Sequence, residues 1–514
     1  MKDRDYDVIV IGAGNGGLAA AATAVKQGLK TLLVEQHNLP GGFASSFVRG
    51  RFEFETALHE LCDLGPENNR GGVGQFFDGL GLGVEWVEVP EAYNMIITDG
   101  KYKGTYSMPF GKENFISQLE SYVPGCRKSI EDFFSLCDDV LSGFVYLVQS
   151  KGNADKKILM KEHANFLKTA PYSLANIEKM LKIDPKAQAI LNAYWCYIGI
   201  NTHRVNFTIF AAMIAKYVKL GGFIPKMRSH EISTALLEYV SKNGGEVMMN
   251  TKAEKIIVES GCVQGIRIDS GEIISAPNVI CNASRHTVYS NMIDNPPERL
   301  IRAANTRKIG AKGYVVYMGL NKSAHEIGIN EYSYFIYPTE DDKKMEESFY
   351  TRKADPIQAI TCLNNAIEGC SEEGTCILSV TTLYQGDSWA DVTPDNYVNT
   401  KNEIANRIID RLEKVLNVNI REYIEEIEVA SPQTFARYTN AYDGSIYGYE
   451  ADSWDSILPR LMMMSEKNDI DGLRFAGGNA FRAFGYSSSY LSGETAALLV
   501  YKQMQNEKND ESDI

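Results

Sequence analysis

Residues 8–17 read VIVIGAGNGG. Four β-branched apolar residues run straight into a stretch with four glycines in six positions. The apolar run predicts a strand buried on both faces, as in a parallel sheet. The glycines predict a backbone that turns sharply and lets something come close. Outward from there, Gly12, Gly14 and Gly17 satisfy G-x-G-x-x-G, and the segment LAAAATAVKQ that follows is a strong helix former. Gly28 can end that helix, and KTLLVE is a second short strand closed by Glu35. Strand, glycine turn, helix, strand and acid together give the glycine pattern its informative βαβ context.

Each residue has a physical part. Gly12 allows the tight turn, Gly14 clears the space where a pyrophosphate must approach, and Gly17 lets helix and strand pack closely. The helix start at Asn15 presents unpaired N–H groups and a positive dipole end to the phosphates. Glu35 can accept hydrogen bonds from ribose hydroxyls, and its charge disfavours a 2′-phosphate. The reading is a dinucleotide site. The plainer alternative, a tight turn with no ligand, is opposed by Glu35 at the expected offset.

The totals bound the rest. A chain of 514 residues is too long for one ordinary core, so two or three subdomains are expected. With 44% hydrophobic and 23% charged residues the composition is globular. A net charge of −14 lacks the basic footprint of nucleic-acid binding and weakens attraction to anionic lipid. No apolar run reaches the roughly 18 residues of a spanning helix. The start MKDRDYD leads at once into the first strand, so no secretory leader is expected. Nine scattered cysteines, an odd number without CxxC, fit a reduced, cytoplasmic setting. Seven histidines form no HExxH or Cys-His cluster, so no metal is expected.

The stretch NLPGGFASSFVRGRFEFETALHEL (38–61) adds a second glycine pair, Gly41-Gly42, followed by Phe43. Here the chain resembles the FAD-binding oxidoreductases of the amine oxidase and carotenoid desaturase type. Their PGG loop runs along the cofactor, and a GF.FD.G segment leads toward the flavin. In GRFEFETALHE, Glu55 takes the acidic place, while Leu58-His59-Glu60 replaces small residues and puts His59 near the ring. Near the C-terminus, GLRFAGGNAFRAFGYSSSYLSGETAALLVYKQ resembles the last cofactor motif, a strand, AGD, a loop and a helix with SG..AA. Gly477 and Gly478 form its turn, Asn479 replaces the acid, and Ser487, Ser488 and Ser489 open the helix against the flavin. Between them, residues 226–300 resemble the return to the cofactor domain. A helix over 230–242, strands near 246–250, 253–258, 262–269 and 272–274, and the strand in NVICNAS are expected there. The backbone at Ala253 and Glu254 would touch the adenine.

The resemblance implies an α/β fold. It comprises a Rossmann-like FAD-binding domain (GDI/glutathione reductase-like) and a substrate domain of β-sheet plus helical insertion. The segments divide as FAD-binding 1–110, helical insertion 111–225, FAD-binding 226–300, substrate sheet 301–465, FAD-binding 466–505 and a disordered polar tail 506–514. A polar amphipathic surface helix is expected over 395–417. FAD would be non-covalent, since no cysteine follows Cys376 to carry it. No second dinucleotide fingerprint occurs: in GGVGQFF (71–77) Phe77 stands where the third glycine belongs, and Gly79, Gly81 and Gly83 lack the spacing. An external electron donor or acceptor is therefore left open.

The most similar types by motif are phytoene desaturases, carotenoid isomerases and retinol saturases. They imply desaturation, saturation or isomerisation of a carbon–carbon double bond in a hydrophobic polyene, enone or lipid-like substrate, with hydride exchange at flavin N5. His59 is the first candidate acid or base because imidazole titrates near neutrality, with Glu60 and Arg482 behind it. Tyr438, Tyr447 and Tyr490 are candidates for the substrate pocket; ordinary packing is the plainer role of each. Peripheral contact with a membrane is compatible with the resemblance. Two rivals stay open: a flavin amine oxidase, and a GDI-like binding protein for prenylated partners.

Overall fold

In the computed structural model, residues 5–150, 154–354, 356–455, 460, 470–480 and 485–512 are described. The opening stretch forms β1 (Val8–Ile11), α1 (Asn15–Lys26) and β2 (Thr31–Val34). All four residues of each strand are buried, as their unbroken apolar runs require. These two strands lie within a five-stranded parallel sheet. Its order is 473–475, 278–281, β1, β2 and 246–248. NVIC pairs with VIVI residue for residue, Val8 opposite Asn278 through Ile11 opposite Cys281. Segments from the start, middle and end of the chain thus share one sheet.

α1 is sandwiched between the helix Ser229–Lys242 and the C-terminal helix Tyr486–Ser512, whose apolar side chains share one core with it. The contact with the C-terminal helix is backbone-close. A Cβ on Gly493 would stand 2.0 Å from Gly16 O, and one on Gly17 would stand 1.8 Å from Gly12 O. Only glycine fits at either place. The strands 253–259, 262–268 and 273–275 form a separate antiparallel sheet beside the parallel one.

The second layer is a seven-stranded sheet in the order 424–430, 312–320, 376–384, 358–362, 333–337, 93–97, 104–108. Its two faces are separated by the period of two along the strands. Tyr314, Val316 and Met318 pack beneath the helix Pro394–Leu416 through its Ile404, Ile408 and Leu412. The expected surface helix therefore closes the sheet's outer face. Val315 and Tyr317 point the other way, toward the cofactor domain. Helices from Lys112–Tyr122 to Phe207–Leu220 form the insertion, and Phe223–Pro225 leads back by pairing with Trp86–Glu88.

Three expectations need correction. The strands Tyr93–Ile97 and Gly104–Met108 were assigned by sequence to the cofactor domain, but they hydrogen-bond into the seven-stranded sheet. Their alternating pattern suits either layer, and the parallel pairing with 333–337 decides it. The tail is not disordered throughout 506–514: the last helix continues to Ser512, with a Gln503–Glu507 side-chain bond at i,i+4 spacing on its last turns. Third, Tyr490 is not a pocket residue: it packs against Phe76 and Phe77 of the helix Gly72–Leu80, which spans most of GGVGQFF. Tyr490 is fully buried in that aromatic cluster.

Candidate active site

A cavity of about 1240 Å³ runs from the turn between β1 and α1 to the inner face of the seven-stranded sheet. One end is lined by Glu35, Thr251, Ala253 and Glu254. Its middle is lined by Gly12, Gly14, Asn15, Gly41, Gly42, Phe43, Gly477 and Gly478. Ser487, Ser488 and Ser489 at the start of the C-terminal helix come next, then His59, Glu60, Tyr197 and Tyr447. The far wall is Tyr317, Ala359, Thr381 and Leu383 of the sheet. The fold brings together residues more than 400 positions apart: Tyr486 Oη donates to Phe43 O at 2.7 Å, and Ser487 Oγ to Cys62 O at 2.6 Å.

The phosphate cradle is built from backbone. Gly12 turns at φ +91°, which favours glycine. Gly14 caps α1 without any side-chain hydrogen bond, and no acid stands in the first turn. The helix N–H groups are therefore left for a ligand. The buried Asn15 Oδ1 has no hydrogen-bond partner among the described residues. Asn282 was missed by sequence. It follows the strand 278–281 directly, and a Cβ on Gly14 would come within 2.6 Å of its Nδ2. Its signal was its place: the carboxyl end of a strand beside the glycine turn is where open α/β sheets bind ligands.

Glu35 is held by two backbone donors, Ala13 N at 2.6 Å to Oε2 and His37 N at 2.8 Å to Oε1. Its remaining lone pairs face the cavity end, as ribose hydroxyls require. Glu35→Ala is expected to weaken FAD binding about tenfold, the worth of a hydrogen bond to a charged group. Titration of the apoprotein by flavin fluorescence quenching measures it. Gly17 does not line the cavity; it fulfils its expected packing role against Gly12. Tyr438 lines the rim, is 57% exposed, and lies beside His37, ring centroids 6.2 Å apart. This places it near the Glu35 end rather than with the buried acid. Arg482 lies outside the described residues, and so does the side chain of Asn479.

The inner end reverses the expected rank of the acids. Burial drives the His59 imidazole down to about 3, so it is neutral at physiological pH. Its Nε2 lies 3.1 Å from Ser333 Oγ, and its ring packs among Tyr197, Tyr332 and Phe335. Burial, with the nearby Glu91 charge, pushes Glu60 up to about 8, against the lowering effect of a hydrogen bond from Tyr197 Oη at 2.8 Å to Oε1. Glu60 is therefore a neutral acid at pH 7, with Oε2 buried and unpartnered. Neighbouring Lys216 is paired with Asp63 at 2.6 Å, a contact the sequence did not show. All nine cysteines are free, and burial raises Cys62 to about 11, so it is a thiol and not a nucleophile. Among the described residues no His, Cys, Asp and Glu cluster could hold a metal.

The comparisons agree with this geometry. A sequence model of the FAD dependent oxidoreductase family matches residues 7–78, the βαβ unit and the loop after it. The chain is 24% identical to human all-trans-retinol 13,14-reductase over 478 residues, 87% of this chain and 77% of that protein. It is 25% identical to the chloroplastic prolycopene isomerase of Daucus carota over 523 residues, 97% and 80% respectively. Among solved structures, an oxidoreductase from Methanosarcina mazei superposes with a TM-score of 0.62 at 17% identity, covering 95% of this chain and 98% of that one. Putrescine oxidase bound to putrescine superposes at 0.64 with 13% identity, covering 98% and 99%, which is a likeness of fold. The glycine cradle, the orphaned helix start and the Glu35 clamp fit the dinucleotide these relatives imply. The chain is an FAD-dependent oxidoreductase, similar over most of its length to retinol 13,14-reductase and prolycopene isomerase, with the fold of the solved flavin amine oxidases.

Proposed function

We propose that this enzyme saturates or isomerises a carbon–carbon double bond in an apolar, polyene-like substrate, with Glu60 as the proton donor. One observation carries the reading: Glu60 is a buried acid, neutral at pH 7, on the wall of a cavity whose inner end is otherwise mostly apolar. Bound FAD supplies hydride chemistry. This chain supplies the rest. Phe144, Ile209, Met213 and Leu383 shape an apolar space that excludes water. Glu60 holds a proton for the carbon that becomes basic, and takes it back where the net change is only cis–trans. The names of the relatives, a retinol reductase and a prolycopene isomerase, both denote chemistry on conjugated chains.

The amine oxidase reading fits this end of the cavity less well. A cationic amine would meet a neutral Glu60 and an already satisfied Lys216–Asp63 ion pair, so no free carboxylate there would hold it. The test is anaerobic. The flavin is reduced chemically, and polyenes, enones, unsaturated fatty acids and steroids are screened for reoxidation; amines are screened for reduction of the oxidised flavin. Reoxidation by an alkene supports the proposal, and bleaching by amines alone overturns it. A colourless protein that takes up no added FAD would favour the binding-protein reading.

Peripheral contact with a membrane is part of the same proposal. The helix Lys156–Glu162 buries none of its side chains, and Met160 is 70% exposed between Lys157 and Lys161. Lysines flanking exposed apolar residues suit an anionic lipid surface, although the whole chain carries −14. No described helix is long and apolar enough to cross a membrane. Flotation with vesicles of equal phosphatidylglycerol and phosphatidylcholine is expected to carry the protein, and Met160→Glu is expected to release it.

A further inference from the structure

We propose that Tyr197 is the positioning residue of the buried acid, fixing the proton of Glu60 on Oε2, the oxygen that no protein group binds. The proposal rests on the reading of Glu60 as a proton donor and adds which atom donates and what holds it there. The two carboxyl oxygens are not equivalent. Oε1 accepts from Tyr197 Oη at 2.8 Å, while Oε2 is buried without a partner. A phenol that donates to Oε1 leaves that oxygen as acceptor, so the carboxylic proton resides on the other.

The rest of the pocket enforces the assignment. Tyr197 is itself immobilised, its ring 5.3 Å from Tyr194, 5.5 Å from Phe335 and 5.6 Å from His59. Burial holds its phenol well above the ordinary value, so it stays a donor at any working pH. Tyr217 Oη donates to the Glu60 backbone carbonyl at 3.3 Å and pins the main chain. The His59 ring nitrogen Nε2 stands 3.9 Å from Oε2. Burial keeps the His59 ring neutral, so it places no charge beside Oε2. The charged groups facing Glu60 are few: Glu91, which raises it, and the Lys216–Asp63 pair at the cavity wall.

The test uses FAD-loaded Tyr197→Phe, with Tyr217→Phe as control. Two quantities are read: the carbonyl stretching band of the protonated Glu60 in infrared spectra, assigned by its loss in Glu60→Gln, and the pH profile of kcat. Tyr197→Phe is expected to shift that band and to move the alkaline limb to higher pH, because a hydrogen bond that favours the carboxylate has gone. It should lower kcat about tenfold with KM within a factor of about two. Tyr217→Phe should leave the band and the limb in place. An unchanged band and limb in a folded, flavin-bound Tyr197→Phe overturns the inference, even if activity falls. The band needs no turnover, so failure of the substrate reading, seen as full activity in Glu60→Gln, is told apart from failure of this one.

Discussion

Glu60→Gln is expected to retain FAD and to lose turnover by about 10² to 10⁴, the usual worth of a positioned general acid. Glutamine preserves the size and can still accept from Tyr197, but it holds no transferable proton. In the wild-type enzyme kcat should fall as pH rises through about 8, where Glu60 ionises. His59→Ala should act more weakly, since an imidazole held down to about 3 gives up no proton near neutrality. Stability gives a second, activity-free reading. Glu60 rises from 4.5 unfolded to about 8 folded. Between those values the native state keeps a proton that the unfolded chain has released. Its contribution is full below 4.5 and is lost as pH rises through about 8, by up to roughly 1.4 kcal/mol per pH unit. The histidine acts oppositely: lowered from 6.5 to about 3, it costs stability as pH falls through that window. Thermal melts of Glu60→Gln against wild type should therefore show a Tm advantage for the variant that grows from pH 5 to pH 8. A flat difference would contradict the raised pKa.

Gly493→Val is expected to abolish FAD binding and cost about 3 kcal/mol or more. The new Cβ would lie 2.0 Å from Gly16 O and 2.9 Å from Ala20 N, both backbone atoms that cannot rotate away. Relief requires the C-terminal helix to move off α1. That withdraws Ser487, Ser488 and Ser489 from the cavity and separates Gly477 from Gly16, where a Cβ on Gly16 would already meet Gly477 N at 2.3 Å. Flavin content after purification and a urea melt read both effects. A yellow, stable Gly493→Val would show that the two ends of the chain need not meet so closely.

What could be read from sequence was what is local. The turn from β1 into α1 is set by glycines within six residues, whereas the helix Ser229–Lys242 and strand 278–281 are placed by resemblance. Their meeting with the C-terminal helix came from resemblance, because nothing in VIVI specifies Leu473–Phe475 two strands away. The ranking of His59 above Glu60 failed for the same reason. Isolated reference pKa values favour the imidazole, but burial by segments distant in sequence lowers His59 and raises Glu60. Tyr490 sits in a motif-bearing helix yet faces Phe76 and Phe77, whose helix had been read as a failed glycine fingerprint. Tyr197 belongs to no motif, and only its hydrogen bond to Glu60 singles it out.

The parallel sheet also sets an order of events during synthesis. Its edge strand, Leu473–Phe475, is made after the other described strands of both sheets, and the serines of the following helix come later still. Until then a nascent chain can complete the insertion and the seven-stranded sheet but not the flavin groove. Cofactor capture therefore waits until the start of the last helix has been made, and chains stopped before Leu473 would expose an oily cleft with the flavin groove unfinished.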